Sequence, residues 1–233
     1  MIRRWFALIP LAGAMLAGCG VPGPAAADGV AHLPDPRFDP APPQPGEQVA
    51  VFAGGCFWGV EAVFDHVRGV RQAWSGYAGG SADTASYEQV SEGDTGHAES
   101  VKVLYDPRQV SYGQLLKVFF SVALDPTQLN RQGPDVGSQY RSVIFYATPQ
   151  QQRIAKAYIV QLGTAHAFDA PIVTQVAPLR GFYTAEAYHQ DYAALHPDNP
   201  YIAYNDAPKV AHLKQWLPAL YRTQPQVVEV QLH

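Results

Sequence analysis

The stretch Gln48–Phe64, QVAVFAGGCFWGVEAVF, decides the fold. Residues 48–53 are a short apolar, β-prone run, which predicts a strand. Gly54 and Gly55 break that strand. Apolar residues then follow the i, i+3, i+4, i+7 spacing of one helix face: Val60, Val63, Phe64 and Val67. The pattern therefore predicts that Cys56 lies where a strand turns into the first turn of a helix.

The rest of the chain alternates irregularly between strand-like and helix-like segments. Further strands are predicted at residues 70–77, 99–105, 141–147 and 172–176, and further helices at 114–123, 148–162, 184–195 and 209–221. The long polar loop at 125–139 is of the kind that usually carries function. This order predicts a single α+β domain, with a mixed β-sheet and packed helices in a ferredoxin-like two-layer core.

Composition limits the possible classes of protein. The 233 residues are 47% hydrophobic and 15% charged, which argues against full-length disorder. The formal charge of −4 gives no general attraction to nucleic acid or to anionic membranes. We expect no nucleic-acid partner, and we expect a monomer.

The N-terminus has the pattern of a secretory signal. Arg3 and Arg4 precede an apolar run, residues 5–16, that is too short to span a bilayer. The run ends in Leu-Ala-Gly before Cys19, which resembles a bacterial lipobox. We expect a signal peptide at 1–18, a lipid on Cys19 and a membrane anchor in the cell envelope, with the outer membrane favoured. An ordinary signal peptide with an incidental cysteine is the alternative.

Residues 19–46 are rich in proline and predict an extended tether. The alternative is that part of this segment packs along the domain surface, with Phe38 as the first candidate. The folded catalytic domain is expected at 47–222, and residues 223–233 form a tail.

Cys56 is the first candidate for chemistry. A thiol at a helix N-terminus faces free N–H groups and the positive end of the helix dipole, which lower its pKa. The alternative is a buried, inert cysteine. A thiol hydrolase would also need a His base, and none of the eight His lies in a signature that identifies it. No metal is expected, since the chain has neither CxxC nor HxxxH.

Several collinear motifs resemble peptide methionine sulfoxide reductase A. They are GCFWG at 55–59, GYAGG at 76–80, YEQV at 87–90, TGHAE at 95–99, DPTQLNRQG at 125–133, QYRS at 139–142, and the residues FY, AE and YHQ between 182 and 190. The match runs from about Val49 to Tyr192. Its motifs are long, so that a chance match is very improbable.

The resemblance implies a role for each residue of a site. Cys56 would attack the sulfoxide sulfur, and Glu99 would protonate the sulfoxide oxygen. Tyr87 and Tyr140 would donate hydrogen bonds to that oxygen, and Asp135 would orient the site. Phe57 and Trp58 would form an apolar cup for the substrate methyl group. The S epimer would be reduced, leaving Cys56 as a sulfenic acid.

The sequence departs from many members of that family in its cysteines. The region 197–233 contains none, and position 91, a cysteine in some members, is Ser91. The resemblance therefore implies no cofactor but an external thiol reductant, such as thioredoxin, glutaredoxin or a small thiol. A lipidated cysteine hydrolase and a binding lipoprotein with an inert Cys56 are the competing interpretations.

Overall fold

The computed structural model describes Met1 and residues 32–227. The strands are β1 (Gln48–Ala53), β2 (Val70–Ala78), β3 (Ala98–Tyr105), β4 (Arg131–Gln132), β5 (Asp135–Val136), β6 (Val143–Tyr146), β7 (Gln175–Pro178) and β8 (Phe182–Thr184). The α-helices are α1 (Phe57–Asp65), α2 (Tyr87–Ser91), α3 (Tyr112–Val118), α4 (Pro149–Thr164), α5 (Tyr192–Leu195) and α6 (Ala207–Trp216). Two π-helical segments, Phe119–Ala123 and Ile202–Asp206, follow α3 and precede α6.

Six strands form one mixed sheet in the order β7-β6-β1-β3-β2-β8, and β4 pairs with β5 separately. Neighbouring strands are antiparallel, except that β6 and β7 are parallel. The prediction of a single α+β domain with a mixed sheet and packed helices is confirmed.

Strand β1 is apolar from Val49 to Ala53, and both faces of its last four residues are covered. Ala50 and Phe52 belong to the main core, and Phe52 stacks on Phe64 of α1 at 5.1 Å. Val51 and Ala53 point to the other face and join a smaller apolar cluster. The alternation follows from the two-residue period of a strand. Packing on both faces therefore holds β1 in place, and Cys56 follows directly after the end of this strand and its two glycines.

The turn between β1 and α1 needs its two glycines. Gly55 has a φ of +93°, and a Cβ there would lie 2.6 Å from the side chain of Gln132. A Cβ on Gly54 would touch Phe119 at 3.0 Å. The helix that follows has the predicted position, and its apolar face is buried in the core.

The predicted helix at 184–195 is wrong. Strand β8 ends at Thr184, a 3-10 turn covers Ala187–His189, and α5 begins only at Tyr192. Asp191 has a positive φ of 54°, which interrupts a right-handed helix. Pairing of β8 with β2 takes Thr184 into the sheet, and the backbone N–H of Asp191 donates to Oε2 of Glu61 on α1. These tertiary contacts have overridden the helical pattern of the sequence.

The described part of the Pro-rich segment, residues 32–46, does not extend away from the domain. Leu33 is buried in the main core, and the hydroxyl of Tyr158 donates to the carbonyl of Pro34 at 2.8 Å. Asp39 accepts hydrogen bonds from Ser111 and from the backbone of Gly113 at the start of α3. Phe38, the expected anchor, is 43% exposed. The prediction of a tether up to residue 46 is therefore corrected, since the docked part begins no later than Leu33.

The predicted signal peptide, Cys19, the first part of the tether and the end of the tail lie outside the described residues. The described part of the tail still contacts the domain, because the backbone of Gln226 donates to the carbonyl of Asp65. Within the described residues, no helix has the length and hydrophobicity that a bilayer span requires.

Candidate active site

Cys56 is the N-cap residue of α1 and is only 9% exposed. It follows strand β1 and the two glycines, and its side chain makes no capping hydrogen bond to the helix. It is a free thiol. The predicted position at a strand-to-helix turn is confirmed.

Glu99 lies beside the thiol although it comes from another strand. It is on β3, opposite Tyr77 of β2, and its side chain is 4% exposed. Its Oε2 accepts a hydrogen bond of 3.0 Å from the backbone N–H of Phe57. The carboxyl is thus held at the first turn of the helix that Cys56 caps.

Burial raises the pKa of the Glu99 carboxyl to about 8. The N–H of Phe57 acts in the opposite direction, and the negative charges of Asp135 and Asp206 raise the pKa further. At neutral pH most molecules therefore carry a proton on Glu99. A carboxylic acid in this state can donate that proton.

The expectation that the helix N-terminus would lower the pKa of Cys56 is corrected. Burial raises the pKa of this thiol well above its ordinary value, and the charges of Glu99 and Asp206 act in the same direction. The N–H of Trp58 and the cation of Lys209 lower the pKa, but their effects are smaller. The thiol is therefore protonated at neutral pH when the site is empty.

Tyr87 and Tyr140 come from α2 and from a 3-10 turn before β6. Burial is the main cause that raises the pKa of both phenols, and Glu99 and Cys56 are among the charged groups that act on them. Both hydroxyls therefore keep their protons and can donate them in hydrogen bonds near the thiol. Tyr87 is 37% exposed, so that it lies at the mouth of the site.

The two aromatic residues after Cys56 have different surroundings. Phe57 is almost fully buried, with its ring 5.0 Å from that of His189. Trp58 is half-buried and stacks on Tyr192 at 3.8 Å. Its Nε1–H donates to Nδ1 of His189 at 3.1 Å. Trp58 can offer surface to a ligand, whereas Phe57 mainly supports the site from behind.

Asp135 lies on β5, in the long polar loop predicted to be functional. It accepts a hydrogen bond from the hydroxyl of Tyr201. Burial raises the pKa of the Asp135 carboxyl, while the bond from Tyr201 and the cation of Lys209 lower it. Asp135 therefore binds Tyr201 in the C-terminal part of the chain and also acts electrostatically on Glu99 in the site.

Sequence reasoning missed several residues of this site, all from the last fifth of the chain. Glu186 accepts hydrogen bonds from the hydroxyl of Tyr77 at 2.8 Å and from the backbone of Tyr87 at 2.9 Å. His189, Tyr192, Tyr201, Asp206 and Lys209 complete the set. Only Glu186 and His189 lie in motifs, AE and YHQ, that could have identified them.

The site does not have the arrangement of a cysteine hydrolase. Among the hydrogen bonds of residues 32–227, none joins Cys56 to a His. His189, whose ring lies 5.0 Å from that of Phe57, instead accepts the indole N–H of Trp58, and burial lowers the pKa of His189. The described residues also contain no group of three or more His, Cys, Asp or Glu that could hold a metal ion.

Comparisons with known proteins give the family of the chain. The family model of peptide methionine sulfoxide reductase matches residues 48–219. A peptide methionine sulfoxide reductase MsrA 2 of Mesorhizobium japonicum is 59% identical over 79% of this chain and 94% of its own length. The corresponding protein of Synechocystis is 53% identical over 78% and 87%.

Two solved structures are also similar. Reduced Mxr1 from Saccharomyces cerevisiae has a TM-score of 0.59 at 31% identity, over 70% of this chain and 92% of that one. Methionine sulfoxide reductase A of Corynebacterium diphtheriae has a TM-score of 0.57 at 35% identity, over 76% and 87%. Together with the match over residues 48–219, these similarities show that the chain belongs to the peptide methionine sulfoxide reductase family and is an oxidoreductase.

Proposed function

We propose that this enzyme reduces the S epimer of methionine sulfoxide, free or in peptides, through a sulfenic acid on Cys56. The observation that carries this proposal is the placement of a protonated carboxyl beside a buried thiol. Glu99 is fixed by the N–H of Phe57, one residue after Cys56, and its pKa is raised to about 8. A sulfoxide oxygen is a poor leaving group until it is protonated, and such an acid supplies the proton.

The proposed first step balances as follows. The sulfur of Cys56, as thiolate, attacks the substrate sulfur, and Glu99 protonates the oxygen. The S–S bond formed in this attack and the S–O bond of the substrate both break, so that methionine leaves and the oxygen remains on Cys56 as the hydroxyl of a sulfenic acid. The substrate sulfur gains two electrons, and Cys56 loses two. The thiol proton that Cys56 released restores the acid form of Glu99.

Tyr87 and Tyr140 support this step because both phenols keep their protons. Hydrogen bonds from two such donors would stabilise negative charge that grows on the sulfoxide oxygen. Trp58, held in place by Tyr192 and His189, would contact the substrate methyl group, with Phe57 behind it. A fixed acid on one side and a fixed apolar wall on the other admit only one configuration at sulfur.

The reductant is proposed to be an external thiol. The chain has two cysteines, Cys19 and Cys56, and a lipid on Cys19 would leave only one thiol. Two equivalents of an external thiol, or a dithiol such as thioredoxin, would then reduce the sulfenic acid to thiol and water. A glutaredoxin or a small thiol would fit the same requirement.

We further propose that the enzyme is lipid-anchored through Cys19 in the cell envelope and repairs oxidised envelope proteins. The lipobox-like sequence before Cys19 supports this part. Metabolic labelling with a fatty acid, followed by membrane fractionation, tests it with Cys19→Ala as the control. Label and membrane association should both be lost in the variant. Label retained in Cys19→Ala would contradict the anchor.

The reaction is tested with the separated S and R epimers of N-acetyl methionine sulfoxide. Each epimer is incubated with the full chain and with a dithiol, a monothiol or a thioredoxin system. We expect methionine to form from the S epimer alone, with a rate that depends on the thiol. Equal rates on the two epimers, or no reduction with any thiol, would contradict the proposal.

A further inference from the structure

A buried ion pair lies at the start of α6. Nζ of Lys209 is 3.1 Å from Oδ1 of Asp206. Asp206 is completely buried and Lys209 is 8% exposed. Among residues 32–227, Lys209 is the only Lys or Arg with so little exposure.

The pair lies directly against the first turn of α1. A Cβ on Gly59 would be 2.0 Å from Oδ1 of Asp206 and 2.7 Å from Nζ of Lys209. Gly59 is three residues after Cys56, in the helix that Cys56 caps. The ion pair thus occupies the space that any other residue at position 59 would fill with its side chain.

The side chain of Asp206 lies against α1 and does not bind the free N–H groups at the start of its own helix, α6. Asp206 is the N-cap residue of α6, yet its side chain makes no capping hydrogen bond. It ends the π-helical segment Ile202–Asp206, and such segments are frequent at functional sites. Its Oδ2 is buried without a hydrogen-bond partner in the described part of the chain.

This arrangement is a poor way to stabilise a fold. Desolvation of a buried ion pair can cost more than the attraction returns, and an unpaired carboxylate oxygen adds to the cost. The pair therefore calls for an explanation other than stability, and its position beside Cys56 supplies one.

Several ionisable groups surround the sulfur. The carboxyls of Glu99 and Asp206 disfavour a negative charge on Cys56. Four further groups lie within electrostatic range of the site, namely Asp135 and the phenols of Tyr87, Tyr140 and Tyr201. Among the cations of residues 32–227, only Lys209 acts on the sulfur in the opposite direction.

We propose that Lys209 is a positioning residue that stabilises the anionic sulfur of Cys56, and that Asp206 holds its ammonium group against Gly59. This inference rests on the proposed role of Cys56 as nucleophile. Glu99 is neutral when it acts as the acid, so that its opposition to the thiolate disappears in the reactive state. The cation of Lys209 then offsets part of the repulsion between the charge of Asp206 and the anionic sulfur.

The rate of alkylation of Cys56 by iodoacetamide tests this, because only the thiolate reacts. The rate is measured on the full chain from about pH 6 to about pH 11, and the peptide that contains Cys56 is quantified by mass spectrometry. Lys209→Met should slow alkylation at pH 7 about tenfold. Lys209→Arg keeps the charge and should stay closer to wild type.

Asp206→Asn should change the rate in the opposite direction, because it removes a negative charge but keeps an oxygen that can accept the bond from Lys209. This variant also tests the proposal if Lys209→Met does not fold. An unchanged or faster rate in Lys209→Met, equal slowing in Lys209→Arg, or a slower or unchanged rate in Asp206→Asn would overturn the proposal. Alkylation does not require sulfoxide reduction, so the outcome is independent of whether the proposed reaction occurs.

Discussion

The backbone N–H of Phe57 donates a hydrogen bond of 3.0 Å to Oε2 of Glu99, and this bond ties the proposed acid of the site to the residue that follows the proposed nucleophile, Cys56. Phe57 is also the first residue of α1. The helix N-terminus therefore acts on two groups, since the next N–H, that of Trp58, lowers the pKa of the Cys56 thiol as the N–H of Phe57 lowers that of Glu99. Burial outweighs these two N–H groups, so that the pKa of the thiol and the pKa of the carboxyl both stay raised despite the helix dipole.

Replacing the nucleophile should abolish sulfoxide reduction. In Cys56→Ser the hydroxyl is a far weaker nucleophile near neutral pH. Reduction of the S epimer is measured in single turnover, and thermal unfolding of the variant serves as the control for its fold. A rate within about tenfold of wild type would contradict the role of Cys56.

Replacing the acid should slow the same step without unfolding the site. In Glu99→Gln the amide oxygen can still accept the N–H of Phe57, but there is no carboxylic proton. Loss of general acid catalysis costs about 10²–10⁴-fold. The formation of sulfenic acid is followed in single turnover. A wild-type rate would mean that another group is the acid.

The pH dependence gives an independent test of Glu99. Its pKa is raised to about 8, and the acid acts only when protonated. The single-turnover rate, corrected for the thiolate fraction measured by alkylation, should therefore fall as the pH rises through about 8. In Glu99→Gln this fall should be absent.

The local part of the site could be predicted from the sequence. The position of Cys56 depends on β1, two glycines and an amphipathic helix, which are all encoded within residues 48–67. The hydrogen bond between Phe57 and Glu99 spans 42 residues, and Glu99 was identified only through the resemblance to the family. Spacing alone could not have paired these two residues, because the pairing depends on the order of strands in the sheet.

The rest could not be predicted because it arises from tertiary packing. Nothing in the local sequence around Asp206 and Lys209 indicates that they pack on Gly59. The pKa of Cys56 was expected to fall, because a helix terminus is visible in the sequence whereas burial is not. Likewise, the helical pattern of 184–195 does not form a continuous helix, because Thr184 pairs with β2 and the backbone of Asp191 is bound by Glu61.

The protein should lose stability as the pH rises from about 4.5 to about 8. Glu61 has its pKa raised from 4.5 to about 8, first by burial and then by the charge of Asp191. In this range the unfolded chain has released a proton that the folded protein still binds, which favours unfolding. The free energy of unfolding, measured in urea, should fall by up to about 1.4 kcal/mol per pH unit for each such group.

Glu61→Gln separates this effect from a general loss of stability. Glu61 accepts three hydrogen bonds, two from Ser75 and one from the backbone of Asp191. The amide of the variant cannot accept all three with the same geometry. The variant should be less stable at every pH but should show a smaller slope. The slope that remains would come from Glu99 and other buried carboxyls. An unchanged slope would show that Glu61 does not bind the proton.

The docked N-terminal segment should contribute to stability through Asp39. Its carboxylate accepts from the N–H of Gly113 at the start of α3, as a capping residue does. Asp39→Ala should therefore cost about 1 kcal/mol. Asp35→Ala is the matched control, since its ion pair with Lys117 is largely exposed on the Asp35 side and such pairs contribute little. Equal losses in urea unfolding would show that the cap is not what binds the segment.

The cysteine count leads to the last prediction, which concerns recycling. One turnover without reductant should form one methionine per protein and leave Cys56 as sulfenic acid, because a chain acylated at Cys19 has no second thiol for a disulfide. A dimedone-type probe should label Cys56 after substrate, and glutathione should form a mixed disulfide there. Cys19→Ser should behave in the same way. Mass spectrometry of the protein isolated from its host decides the matter: a loss of two hydrogens, with Cys19 and Cys56 joined, would show that Cys19 carries no lipid on its sulfur and that the enzyme uses an internal disulfide.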